Sequence, residues 1–179
     1  MGITNVIFSA LYSHADCPPP YGNRFSLQDH DMKKILAGIR VLDFGRYLAG
    51  PYCAALLSDL GAYVIRIERI DGGDDRFNQY PISDEGIGAN FLQMNHNKLG
   101  MTLNPMKPQA REIIERLVKT ADVVEANLPG DTMVQMGIDY DSLKAIKPDI
   151  IVTAISAFGQ DGPYKDDVGG SHPSSPPSA

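Results

Sequence analysis

Residues 36–69 limit what this chain can fold into more than any other stretch. Arg40-Val41-Leu42-Asp43-Phe44 is a β-prone run that enters a turn bounded by Gly45 and Gly50. Pro51 suits the first turn of a helix, where its missing N–H loses nothing. The helix carries Ala54, Ala55, Leu56 and Leu57 and stops at Gly61, a residue free to take the left-handed cap conformation. A second strand at 63–67 leads into Glu68 and Arg69. Strand, turn, helix and strand within about thirty residues make a βαβ unit, which predicts parallel strands and a right-handed crossover. Ligands on such sheets lie beyond the carboxyl ends of the strands. Here those ends are the 45–50 turn and the Glu68–Arg69 corner.

The rest of the chain extends the pattern. Residues 70–85, rich in Gly and Asp at their start, read as a loop. A short helix at 87–94 and a strand candidate at 100–103 follow. Ile113, Ile114, Leu117 and Val118 recur at helical spacing within 107–120, with charges on the opposite face. Residues 121–125 read as a strand and 127–131 as the turn at its carboxyl end. Asp131 or Thr132 is placed to cap a short helix that stops near Gly137, and residues 141–147 make a further helical turn or two before Pro148. Residues 150–155 are β-branched without alternation, the mark of a strand buried on both faces. Four strands alternating with helices predict an α/β fold, a Rossmann-like doubly wound parallel sheet, over one domain at 34–168. Residues 1–33, broken by Pro18, Pro19 and Pro20, read as a poorly ordered extension, with a cleaved targeting segment as the alternative. Residues 169–179 are small and polar and predict disorder. The fold reads as incomplete.

Charge balance and motif spacing exclude several functions. The balance of 16 basic against 22 acidic residues argues against a nucleic-acid partner. No apolar run approaches the roughly eighteen residues of a membrane span. Two cysteines, Cys17 and Cys53, in unlike surroundings fit a reducing, cytoplasmic setting. Tyr47 stands where a dinucleotide fingerprint needs its middle glycine, and Pro51 where a phosphate loop needs lysine, so NAD and P-loop readings fail. Asp43-Phe44-Gly45 matches a kinase metal motif without the rest of a kinase. His14, His30, His96 and His172 are isolated, and no metal site is predicted. Asp71, Asp74 and Asp75 read as a solvated loop. Cys53 reads as a small core residue, although a helix N-terminus would tend to lower its pKa. Arg69 follows a strand that ends near a helix N-terminus, a good place for an anionic ligand. Its other reading is an ion pair with Glu68 or Asp71.

Several ordered blocks then resemble the family III CoA-transferases. They are residues 36–43, Leu48-Ala49-Gly50-Pro51, Asp59-Leu60-Gly61-Ala62, residues 64–69, Asn95-His96-Asn97-Lys98, residues 121–125 with Asn127, and residues 158–164. The resemblance implies transfer of CoA between carboxylic acids through an aspartyl anhydride and an aspartyl-CoA thioester, a covalent route that divides a difficult exchange into easier steps. It also implies an interlocked homodimer, acyl-CoA and carboxylic acid substrates, and no resident cofactor, the coenzyme A thioester being substrate. The residues it places against CoA are Leu48, Ala49, Arg69, Leu103, Asn104, Asn127 and Leu128. Leu48 stands where formyl-CoA transferase has a glutamine, and Gln135 where the family commonly has arginine. The nucleophilic aspartate of the family falls beyond residue 179, so no catalytic residue is assigned and this chain alone is expected to be inactive. A 2-methylacyl-CoA racemase and a catalytically inactive CoA-binding fragment are the alternatives.

Overall fold

The computed structural model describes residues 9–10, 34–71 and 86–165. Its sheet contains β1 (Ser9–Ala10), β2 (Arg40–Asp43), β3 (Tyr63–Glu68), β4 (Leu99–Thr102), β5 (Val123–Ala126) and β6 (Ile151–Ala154), in the order β1-β4-β3-β2-β5-β6. β2 to β6 are all parallel, and β1 pairs antiparallel with β4. From the central β2 the chain winds outward through β3 and β4, then returns to build β5 and β6 on the other side. The direction of winding therefore reverses between β2 and β5, where open α/β sheets leave a crevice.

The helices among the described residues are α1 (Ala49–Asp59), α2 (Ala89–Met94), α3 (Ala110–Val118), α4 (Gly130–Met136) and α5 (Tyr140–Ile146). Alternate residues of a strand face opposite ways, and the core divides accordingly. Leu42, Phe44, Ile65 and Ile67 pack with Ile114 and Val118 of α3 and with Met133 and Leu143 of α4 and α5. Val41 and Val64 face the other side and pack with Ala54 of α1. Apolar layers on both faces make the sheet doubly wound, and they explain why β2 and β3 read as nearly continuous apolar runs. The parallel βαβ unit at the centre is as the sequence predicts. Gly61 takes φ +103°, the left-handed region expected of the residue after α1.

Three details differ from the sequence reading. Ser9–Ala10, within the stretch expected to lack order, form a strand, because the free edge of β4 offers unpaired backbone groups. The remainder of 1–33, most of the 70–85 loop and the 169–179 tail lie outside the described residues. Among the described residues β6 is an edge strand flanked by β5 alone: Ile151 is 60% exposed and its neighbours are half-buried. The residue capping α4 is Pro129, with Asp131 inside the first turn, whereas Asp139 caps α5 by accepting a 3.1 Å hydrogen bond from Ser142 N. Among the described residues no helix is long and apolar enough to cross a membrane.

Candidate functional site

The α1 face of the sheet carries a row of charge near the carboxyl ends of its strands. Asp43 lies in register with Arg66 on one side and Glu125 on the other. All three are buried. Lys98, also buried, enters between α2 and β4 and donates to Asp43 Oδ2 at 2.8 Å, Pro51 O at 2.7 Å and Asn95 Oδ1 at 3.1 Å. Arg66 Nη1 lies 3.6 Å from Asp43 Oδ2 and donates to Gly45 O at 3.3 Å. Burial alone would raise the Asp43 pKa, but Lys98, Arg66 and the 2.7 Å hydrogen bond from Gly45 N together hold it below the usual carboxylate value. Burial pulls the Lys98 ammonium down from its ordinary value, against the attraction of Asp43. Its three acceptors fit a cation.

Glu125 is the odd member of the row. Neither of its oxygens accepts a hydrogen bond among the described residues. Burial first, and the Asp43 charge second, push its pKa up to about 9. Glu125 is therefore a neutral acid at pH 7 beside the ionised Asp43. Burial first, then Glu125 once it ionises and Asp43, raise the Cys53 thiol above its ordinary value, so the helix N-terminus does not activate it.

This row supports the 45–50 turn from below. A Cβ on Gly50 would stand 2.6 Å from Glu125 Oε1, 2.8 Å from Asn127 Oδ1 and 2.8 Å from Gly45 Cα, so only glycine lets α1 begin this close to the sheet. From β5, the Asn127 carboxamide grips the turn on both sides of one residue. It accepts from Arg46 N at 2.6 Å and donates to Arg46 O at 2.9 Å. The Arg46 guanidinium donates to Gly45 O and Ile67 O, both at 3.0 Å, which ties the turn to β3. Tyr47, next in the chain, is held at φ +57°.

Above the turn opens a cavity of about 650 Å³. Loops at the carboxyl ends of four adjacent parallel strands line it: Arg46 and Tyr47 after β2, Arg69 to Asp71 after β3, Leu103 to Met106 after β4, and Leu128 after β5, with Met136 of α4. Of the residues expected against CoA, Arg69, Leu103, Asn104 and Leu128 meet at this cavity. Asn127 stands one layer back, shaping the turn. Leu48 and Ala49 are exposed but do not line the cavity; Arg46 and Tyr47 do so in their place. Arg69 also forms the ion pair considered above, donating from Nε and Nη2 to Asp71 at 3.0 and 2.7 Å. Glu68 is buried. His96, outside the cavity, contacts Asp59 at 2.9 Å. The sequence signal for the charged row is one charge interrupting each of three apolar strands, Asp43, Arg66 and Glu125.

A doubly wound parallel sheet has here a cleft at its reversal point, walled by apolar side chains and arginine, a form suited to a ligand with anionic and apolar parts. Residues 36–171 match the model of CoA-transferase family III, and the chain belongs to that family. It is 38% identical over 143 residues to a succinate–glutarate CoA-transferase of Agrobacterium fabrum, covering 76% of this chain and 36% of that protein. It is 37% identical over 135 residues to a formyl-CoA:oxalate CoA-transferase of Rhodopseudomonas palustris, covering 75% and 32%. The crystal structure of a CAIB/BAIF family protein from Brucella suis superposes with a TM-score of 0.69 at 40% identity, covering 75% of this chain and 36% of that one. The chain thus spans about a third of the length of these relatives.

Proposed function

We propose that this chain provides the CoA-binding portion of an enzyme that moves CoA between carboxylic acids. The observation that carries the reading is the convergence of Arg69, Asn104 and Leu128, from three different strand ends, on one cavity at the reversal point of the sheet. CoA is a polyanion at one end and an apolar arm at the other. Arg69 supplies a cation for the phosphates, with Asp71 fixing the plane of its guanidinium. Leu103, Pro105, Met106 and Leu128 supply apolar wall. The names of the relatives, both CoA-transferases, favour transfer over racemisation.

In the whole enzyme a carboxylate nucleophile attacks the thioester that this portion holds. The contribution of this chain is to hold the thioester in register for that chemistry. The enzyme acts as a cytoplasmic homodimer, with acyl-CoA and carboxylic acid as substrates and no resident cofactor.

Calorimetric titration of CoA into the 179-residue chain tests the binding claim. Wild type is expected to bind, and Arg69→Ala to bind about tenfold or more weakly, the cost of one charge-assisted contact. Unchanged affinity in Arg69→Ala would contradict the assignment.

A further inference from the structure

His96 joins two acceptors at the end of α1, and only the protonated imidazole can serve both. Its Nδ1 lies 2.6 Å from Gln93 O in α2, and its Nε2 lies 2.9 and 3.1 Å from the two oxygens of Asp59, the last residue of α1. A carbonyl oxygen only accepts, so Nδ1 carries a proton. The Asp59 carboxylate already accepts from Asn97 Nδ2 at 3.0 Å, and it faces the ring as an acceptor too. A neutral imidazole would turn a lone pair towards one of these oxygens, whereas the imidazolium donates to both. Among the described residues the charged groups that act on the ring are Asp59 from α1 and Lys98 from its own connection. The hydrogen bond to Gln93 O first, and Asp59 with it, raise the His96 pKa above 6.5 against burial and the Lys98 charge.

The place of this contact gives it a task. An acid at the C-terminus of a helix meets the negative end of the helix dipole, and α1 has no basic residue in its last turn. His96 brings the missing cation from a neighbouring segment. Asn97, at φ +58°, takes part as well, since its carbonyl accepts from Ser58 Oγ of α1 at 2.9 Å. Two residues after His96, Lys98 donates to Pro51 O in the first turn of the same helix. The 95–98 connection therefore holds α1 at both ends, by a buried lysine at the start and by a half-exposed histidine at the finish.

We propose that His96 is a proton-operated latch: as the imidazolium it fastens the end of α1 to the connection between α2 and β4, and on losing its proton it lets that end go. Lys98 meanwhile keeps the start of the helix, and the turn under the cavity, in place. The latch is independent of the CoA reading. Because the folded pKa is raised, the contribution of the contact to stability is fully present below pH 6.5 and is lost as the pH climbs through the folded value.

The test compares wild type with His96→Gln, which is neutral at every pH, so that all other titrations cancel in the difference. The wild-type melting temperature is expected to lie about 2–4 °C above that of His96→Gln at pH 5.5 and level with it at pH 9. Amide exchange locates the effect. The amides of Leu60 and Gly61, which donate to Leu56 O and Ser58 O, are expected to be about two- to fivefold better protected in wild type at pH 5.5, the range for one charge at a helix end. The Tyr52 amide in the first turn is expected to be protected equally in both. An imidazole titration followed by NMR is expected to show a midpoint above 6.5 that falls in Asp59→Asn. A midpoint at or below 6.5, or a melting gap that persists to pH 9, would overturn the latch. Protection lost equally at Tyr52 and Leu60 would overturn its confinement to the end of α1.

Discussion

Replacing Glu125 by glutamine removes a titration without changing shape, and its effect on stability follows from the row of charge under α1. In the unfolded chain Glu125 ionises near its ordinary value of 4.5; folded, it holds its proton to about 9. The groups facing it are Asp43 from β2, Arg66 from β3, Lys98 from the α2–β4 connection and Cys53 from α1. Its folded pKa is raised, so its contribution to stability is fully present below pH 4.5 and is lost as the pH climbs towards 9. Each pH unit inside that window lowers stability by up to about 1.4 kcal/mol. Between pH 5 and pH 9 this amounts to an upper bound of about 5 kcal/mol, a large part of what holds a small domain together. The glutamine amide stays neutral throughout, as the protonated acid does only below its folded pKa. Urea unfolding of both proteins at constant ionic strength, in steps from pH 5 to pH 9, measures the difference. The two midpoints are expected to lie close together at pH 5 and to separate steadily as the pH rises, with Glu125→Gln the more stable, by on the order of 2 M urea at the top. Asp43 shifts downward, so its own loss of stability comes below pH 3.8, outside this range. A midpoint gap that stays constant from pH 5 to pH 9 would refute the claim that Glu125 is protonated in the folded chain.

Two further substitutions probe the same support. Gly50→Ala drives a Cβ to 2.6 Å from Glu125 Oε1 and to 2.8 Å from the Gly45 backbone; it is expected to cost about 1–3 kcal/mol in urea titrations and to weaken CoA binding by displacing the turn. Lys98→Met takes the nearest cation from buried Asp43 and leaves only Arg66 at 3.6 Å to balance it, a loss expected to cost up to about 3–5 kcal/mol; a melting temperature within a degree of wild type would contradict this.

How much of this was legible in the sequence depended on whether the determinant was local. The β2–α1–β3 unit was readable because its signals are adjacent: an apolar run, glycines at both ends of the turn, Pro51 in the first helical turn and Gly61 after the last. The β1 strand was not, since two residues carry no period and their pairing depends on the distant edge of β4. β6 was legible as a strand but not as an edge, because burial is set by its neighbours rather than its own side chains. The charged row shows the same limit. Asp43, Arg66 and Glu125 each interrupt an apolar strand, but only parallel register places them side by side. Blocks of family resemblance named Arg69, Leu103, Asn104 and Leu128, which share the cavity. Arg46 and Tyr47 were missed as lining residues because the left-handed backbone at Tyr47 comes from a clamp by Asn127, eighty-one positions beyond the Arg46 it grips.

Amide chemical-shift mapping during a CoA titration tests the central claim most directly. The claim is that ligand lies across the carboxyl ends of β2, β3, β4 and β5. Saturable shifts are expected at Tyr47, Arg69, Asn104 and Leu128, with Gly130, Tyr140 and Ala154, around a second hollow beside β6, unmoved. Shifts confined to that second hollow, or no saturable shifts at millimolar CoA, would contradict the account.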